Sequence, residues 1–156
     1  MGPLRLPGFS FREELTGKYW RLEEPTEERT MSLHLETCVR DAAAFLQSHT
    51  GELSGRIDAE GLASMRELRG TLSFKLIEEQ RSVYRFTFQT DDGRICELCG
   101  QKEWNALAPL EAITLLPASL YDDVGREVAR ATLRFDVRAD WARWIASLRL
   151  VAPERS

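Results

Sequence analysis

The residues best suited to chemistry are Cys96, Cys99, Cys38, His34, His49 and Ser54, and each can be tested against the geometry its chemistry requires. Cys96-Glu97-Leu98-Cys99 has the form of a zinc knuckle or a redox pair, with His34 and Cys38 as further ligands. If residues 94–99 form a strand, an offset of three sends the two thiols to opposite faces about 10 Å apart at roughly 3.3 Å per residue, too far to share an ion or a disulfide. His34 and Cys38 share a face but stand about 13 Å apart on the same rise. A thioredoxin-type site wants its second cysteine inside a helix that follows a strand, and no helical pattern starts here. Gly51-Glu52-Leu53-Ser54-Gly55 puts its serine one place too late for a nucleophile elbow. His49 falls at a helix exit, where a histidine commonly partners the helix dipole. The acidic run Glu23-Glu24-Pro25-Thr26-Glu27-Glu28-Arg29 lacks the spaced oxygens around a glycine turn of a calcium loop, and reads as a solvated loop. No catalytic residue, metal ligand or cofactor is assigned, and no G-x-G-x-x-G dinucleotide fingerprint occurs. What remains is aromatic surface. Tyr19, Trp20 and Trp104, with Trp141 and Trp144 nearby, can line an apolar ligand site if the fold leaves room, and otherwise they are core.

Those residues must be positioned by strands. In residues 68–76 the apolar or glycine positions alternate with Arg69, Thr71, Ser73 and Lys75. The run Tyr84-Arg85-Phe86-Thr87-Phe88 alternates likewise, and Asp91-Asp92-Gly93 supplies a turn before Arg94–Leu98. Ala129, Ala131, Leu133, Phe135 and Val137 mark one face of a later strand. Shorter strands are expected over 11–20, 29–38, 52–58 and 112–120. So many one-sided strands predict a mainly β fold, an antiparallel barrel or sandwich. Two short helices are expected: 42–48, capped by Asp41 and closed by Gly51, and 141–148, capped by Asp140, whose Trp141, Trp144, Ile145 and Leu148 share the face that plugs an open side of the sheet.

An internal repeat organises these elements. Glu14-Leu15-Thr16-Gly17-Lys18-Tyr19-Trp20 matches Glu97–Trp104 with one extra residue, and Leu33–Ser48 matches Leu133–Ser147. The expected plan is a tail at 1–10, one domain at 11–151 made of halves at about 11–82 and 83–151, and a tail at 152–156. Gly17 and Gly100 are expected where each sheet bends, under Trp20 and Trp104.

The chain's 156 residues suit one core. A formal net charge of −4 gives no electrostatic basis for general binding to nucleic acid or anionic membranes. The N-terminus lacks a signal-peptide core, no apolar run reaches the length of a membrane span, and three cysteines suit a reducing compartment, so a cytoplasmic protein is expected.

Three motifs carry a family resemblance. Phe11-Arg12-Glu13-Glu14-Leu15-Thr16-Gly17 resembles the F-x-E-x-M-x-G signature of small β-rich domains attached to flavin oxidoreductases of the glucose-methanol-choline class, those related to cholesterol oxidase, and to associated hydrolases; Leu15 stands in the methionine position. Tyr84–Phe88, Asp92-Gly93 and Leu98-Cys99-Gly100-Gln101-Lys102 resemble that domain's Y-x-F-x-F, turn and L-x-G-x-K pattern. The resemblance implies an accessory module in lipid or sterol metabolism, with the chemistry in a neighbouring domain. The expected function is therefore non-catalytic binding of an apolar lipid-like molecule or of a partner oxidoreductase. The alternative is a small enzyme with its site inside a barrel. The oligomeric state is not readable.

Overall fold

A computed structural model describes residues 7–75, 81–103, 115–135 and 149–151. Alternating side chains dictate its strands, which follow in the order β1 (Pro7–Arg21), β2 (Arg29–Asp41), β3 (Thr50–Ala59), β4 (Ala63–Lys75), β5 (Arg81–Gln89), β6 (Ile95–Glu103), β7 (Leu115–Tyr121), β8 (Glu127–Arg134) and β9 (Arg149–Val151), with α1 (Ala42–Ser48) between β2 and β3. Each of β1 to β7 pairs antiparallel with the next, and β8 returns to β1, so the sheet closes on itself as an eight-stranded up-and-down barrel. The short β9 adds to β1 at Gly8–Ser10. Of the two architectures open to the sequence, the barrel forms, and closure removes the edges that a sandwich would leave.

The stagger of the barrel can be read from its register. Following paired residues from Phe11 through Thr37, Leu53, Gly70, Phe86, Leu98, Leu120 and Ala129 returns to β1 at Arg21, ten residues along from the start. Ten residues of stagger over eight strands correspond to a tilt of roughly 40°, and to an interior that side chains fill or that admits one small ligand. The inward set is apolar for most of its length: Leu15, Leu33, Ile57, Leu72, Leu98, Leu116, Leu120 and Leu133 are fully buried.

The two ends of the barrel differ. At one end β-turns join the strands; the turns after β5 and β7 share a plan, with Thr90 N–H donating to Arg94 O at 2.7 Å and Asp122 N–H to Arg126 O at 2.9 Å, and with Gly93 and Gly125 at φ 88° and 84°. At the other end lies α1. Its Asp41 N-cap accepts from Ala43 N–H at 2.9 Å, as the sequence predicts. Its closure differs from the expectation: His49, at φ 55°, donates its backbone N–H to Phe45 O at 2.7 Å, while Gly51 already belongs to β3. Histidine tolerates the left-handed region better than most side chains, and ending here lets β3 start at once. Phe45 anchors α1 edge-on against Phe9 and Phe74, with ring centroids 5.7 and 5.6 Å away.

Of the repeat-matched segments, 14–20 lies in β1 and 33–48 in β2 and α1, while the described residues of their counterparts, 97–103 and 133–135, lie in β6 and at the end of β8. The second predicted helix, 141–148, lies outside the described residues.

Candidate functional site

At the turn end the barrel opens into a hollow of about 540 Å³. Its floor is core, including Tyr19, Cys96, Leu120 and Ala129, and its lip carries Leu22, Ile95 and Val128, which are 39, 51 and 38% exposed. Tyr19 is fully buried because its hydroxyl donates to the Glu60 carbonyl in the β3–β4 turn. Arg21 donates to the next carbonyl, Gly61, at 3.0 Å. Charged residues alternate with the apolar ones around the lip, and they pair: Arg94 with Asp92 at 3.6 Å, Arg126 with Asp122 at 3.3 Å. Backbone N–H donation from Arg126, joined by that of Val124 and by the Arg126 guanidinium, holds the Asp122 carboxyl below the usual range. The Thr90 hydroxyl and Arg94 do the same for Asp92. Burial pushes the Cys96 thiol up to about 11, with the charge of Asp122 adding to it.

Towards the α1 end the interior turns polar. Glu13 on β1, Tyr84 on β5 and Lys102 on β6 all point inward and meet. The Tyr84 hydroxyl donates to Glu13 Oε1 at 3.0 Å, and Lys102 Nζ lies 3.4 Å from Glu13 Oε2 and 5.4 Å from the centre of the Tyr84 ring. Phe135 offers a second ring face to Lys102 at 5.7 Å. All three residues are more than nine-tenths buried. Burial, then the neighbouring Glu13 charge and hydrogen bond, hold the Tyr84 phenol well above its ordinary value, so it stays a donor. Thr37, two places beyond the residue that pairs with Glu13, is 1% exposed, and its Oγ1 has no hydrogen-bond partner.

Of the aromatic residues predicted to bind a ligand, the structure places Tyr19 in the floor of the mouth. Neighbouring Trp20 takes the opposite face, on the outer wall across from Arg130, and is half-buried. Trp104, Trp141 and Trp144 lie outside the described residues. Gly17 is not packed beneath Trp20: a Cβ there would overlap the Thr132 carbonyl oxygen, so this glycine lets β1 approach β8. Gly100 faces the interior against Leu116 and Ala118. Cys96 points inward and Cys99 outward, where it accepts from the Arg85 guanidinium at 3.8 Å.

Sequence reasoning assigned no role in binding to Glu13, Tyr84 and Lys102, although each occurs in one of the three motifs quoted above. The usable signal was a charge at an inward position in an alternating strand, as in Phe11-Arg12-Glu13-Glu14-Leu15 and Leu98-Cys99-Gly100-Gln101-Lys102. No helix among the described residues is long and apolar enough to cross a membrane. Comparisons with known protein families, with curated proteins and with solved structures find no match.

Proposed function

We propose that this chain is a non-catalytic binding module that holds an apolar, lipid-like molecule at the turn-end mouth of its barrel. The observation that carries the reading is the mouth itself: a hollow of about 540 Å³ with an apolar floor and three exposed aliphatic side chains on its lip. Exposed aliphatic groups gathered around a concavity mark a place where something apolar is covered, and barrel mouths are common ligand sites. An apolar chain would lie on Tyr19, Leu120 and Ala129, and a polar end would meet the Arg–Asp pairs of the lip.

Binding suits these groups better than catalysis does. Proton transfer needs a group that titrates near the working pH, whereas Asp92 and Asp122 are held ionised and the Cys96 thiol is held protonated. A role beside an oxidoreductase, as the resemblance implies, is compatible with a module that receives or presents an apolar molecule.

The test is titration of the whole chain with a fluorescent lysophospholipid, with Ile95→Asp and Val128→Asp as variants. Because both side chains are exposed, the variants should melt like the original chain while binding falls by at least about tenfold, the equivalent of roughly 1.4 kcal/mol. No saturable binding, or binding that is indifferent to both substitutions, defeats the reading.

A further inference from the structure

The lip of the mouth carries more charge than an apolar tail calls for, and most of that charge is closed on itself. Arg94 pairs with Asp92 at 3.6 Å, Arg126 with Asp122 at 3.3 Å, and Glu127 with Arg130 at 2.6 Å. A ligand head that took any of these groups would have to displace a tethered partner. Two charged lining residues are left over, one of each sign. Arg21, the last residue of β1, lies two places beyond Tyr19 and so faces the same way, roughly 6–7 Å further out along the strand. Its guanidinium donates to the neutral Gly61 carbonyl at 3.0 Å and has no carboxylate partner among the described residues. Glu23 follows in the turn. Neighbouring Glu24 and Glu27 are held by Arg29 at 3.3 and 3.5 Å, whereas the Glu23 carboxylate has no partner among the described residues. Below them the polar groups of the floor are engaged, the Tyr19 hydroxyl by the Glu60 carbonyl and the Thr90 hydroxyl by Asp92.

We infer that the mouth takes an amphipathic molecule with a zwitterionic head, whose anionic group meets Arg21 and whose cationic group meets Glu23 above a tail lying on Tyr19 and Leu120. The inference rests on the reading of the mouth as a site for an apolar molecule, and adds the class of head group to it. Arg21 keeps N–H groups beyond the one given to Gly61, and a guanidinium suits a phosphate or similar oxyanion. A head of single sign would satisfy one of the two residues and be repelled by the other. A head that carries both signs complements both.

The experiment titrates the whole chain with probes that share a dodecyl tail: dodecylphosphocholine, dodecyl phosphate, dodecyltrimethylammonium and dodecan-1-ol, each below its micellar concentration. Dodecylphosphocholine is expected to bind roughly threefold or more tighter than either singly charged probe, within the range of an exposed ion pair. Glu23→Gln should weaken the two ammonium-bearing probes about threefold and leave dodecyl phosphate no weaker. Arg21→Gln should do the reverse, weakening the two phosphate-bearing probes and sparing dodecyltrimethylammonium. Glu28→Gln makes the same change of net charge in the same turn but outside the lining, and should alter none of them. Dodecan-1-ol should be indifferent to all three substitutions, and its binding reports the apolar site alone. If dodecan-1-ol binds but phosphocholine is no tighter than the singly charged probes, or if Glu23→Gln and Glu28→Gln act alike, the zwitterionic head is overturned and the apolar mouth stands. If no probe binds saturably, mouth and head fall together. Arg21→Gln also removes the bond to Gly61; if it melts early, Glu23→Gln at its exposed turn position and the ranking of probes on the unaltered chain still decide.

Discussion

Glu13 and Lys102, 89 residues apart along the chain, approach to 3.4 Å inside the barrel, and the Tyr84 hydroxyl binds the same carboxylate. Two ions taken from water must be compensated locally, and this arrangement compensates them with each other, a phenol and two ring faces.

Removing one partner therefore differs from removing both. Lys102→Met leaves the Glu13 carboxyl in an apolar interior without its cation and should destabilise the fold by about 3–5 kcal/mol, the usual consequence of breaking a buried ion pair by removing one partner. Glu13→Gln combined with Lys102→Met removes both members of the pair and should recover most of that loss. Urea denaturation of the two single variants and the double variant measures the coupling. Additive effects would show that the two groups do not depend on each other.

A second prediction concerns the seam where the barrel closes. Gly17 pairs with Met31 on one side and Leu133 on the other, and an added Cβ would overlap the Thr132 carbonyl oxygen. The obstacle is backbone, which cannot rotate away. Gly17→Ala should destabilise by about 3 kcal/mol or more, towards the upper end for overpacking. It should raise hydrogen exchange first at Lys18 and Thr132, which pair across the same seam. A substitution of no consequence would mean that β1 and β8 are less tightly joined than described.

Much of this fold was legible because alternation is a direct record of sidedness. Leu68, Leu72, Tyr84, Phe86 and Phe88 fall on every second residue and all point inward, so strand, face and partner follow together. The choice of barrel over sandwich was not legible, since it depends on whether β8 meets β1, a pairing between residues more than a hundred positions apart that no local pattern encodes. The candidate sites were partly legible for a related reason. Tyr19 was identified by its aromatic bulk, but Trp20 came with it, although adjacent residues of a strand cannot share a face. Glu13 and Lys102 look like ordinary surface charges until their parity is compared with that of Leu15 and Leu98. Their meeting depends on tilt and stagger, which only the closed barrel supplies.

A third prediction follows from Asp91, which braces two turns at the mouth. Its carboxylate accepts from Ser64 N–H at 2.9 Å, the Ser64 hydroxyl at 2.7 Å and Arg66 Nε at 2.9 Å, and these bonds, the Ser64 hydroxyl first, lower its pKa to about 2. A depressed carboxylate pKa stabilises the fold above the unfolded value, and the contribution fades as pH falls through the folded one, here from roughly 4 to roughly 2. Asp91→Asn should therefore lower the denaturant midpoint at neutral pH, with the difference from the original chain closing between those limits. A gap that persists unchanged at pH 2 would show that the ionised form is not what matters.

The last prediction uses the mouth's own thiol as a reporter. Cys96 is 4% exposed in the floor of the hollow, and its pKa of about 11 leaves little thiolate below that pH, whereas Cys38 and Cys99 lie half-buried on the outer face. With iodoacetamide at pH 8, Cys99 and Cys38 should be modified well before Cys96, which should react only through opening of the fold. Raising the pH from about 9 to about 11 should accelerate Cys96 as its thiolate appears. Loss of the proton there also removes stability over the same window, because the folded state holds it more tightly than the unfolded one. A lipid-like molecule seated on Tyr19 and Leu120 would cover the sulfur, so saturating ligand should slow Cys96 modification at pH 10 and leave Cys99 unaffected. Site-resolved mass spectrometry separates the three cysteines. If Cys96 is alkylated as fast as Cys99 at pH 8, the floor is open to water; if ligand protects Cys99 and not Cys96, binding takes place on the outer wall.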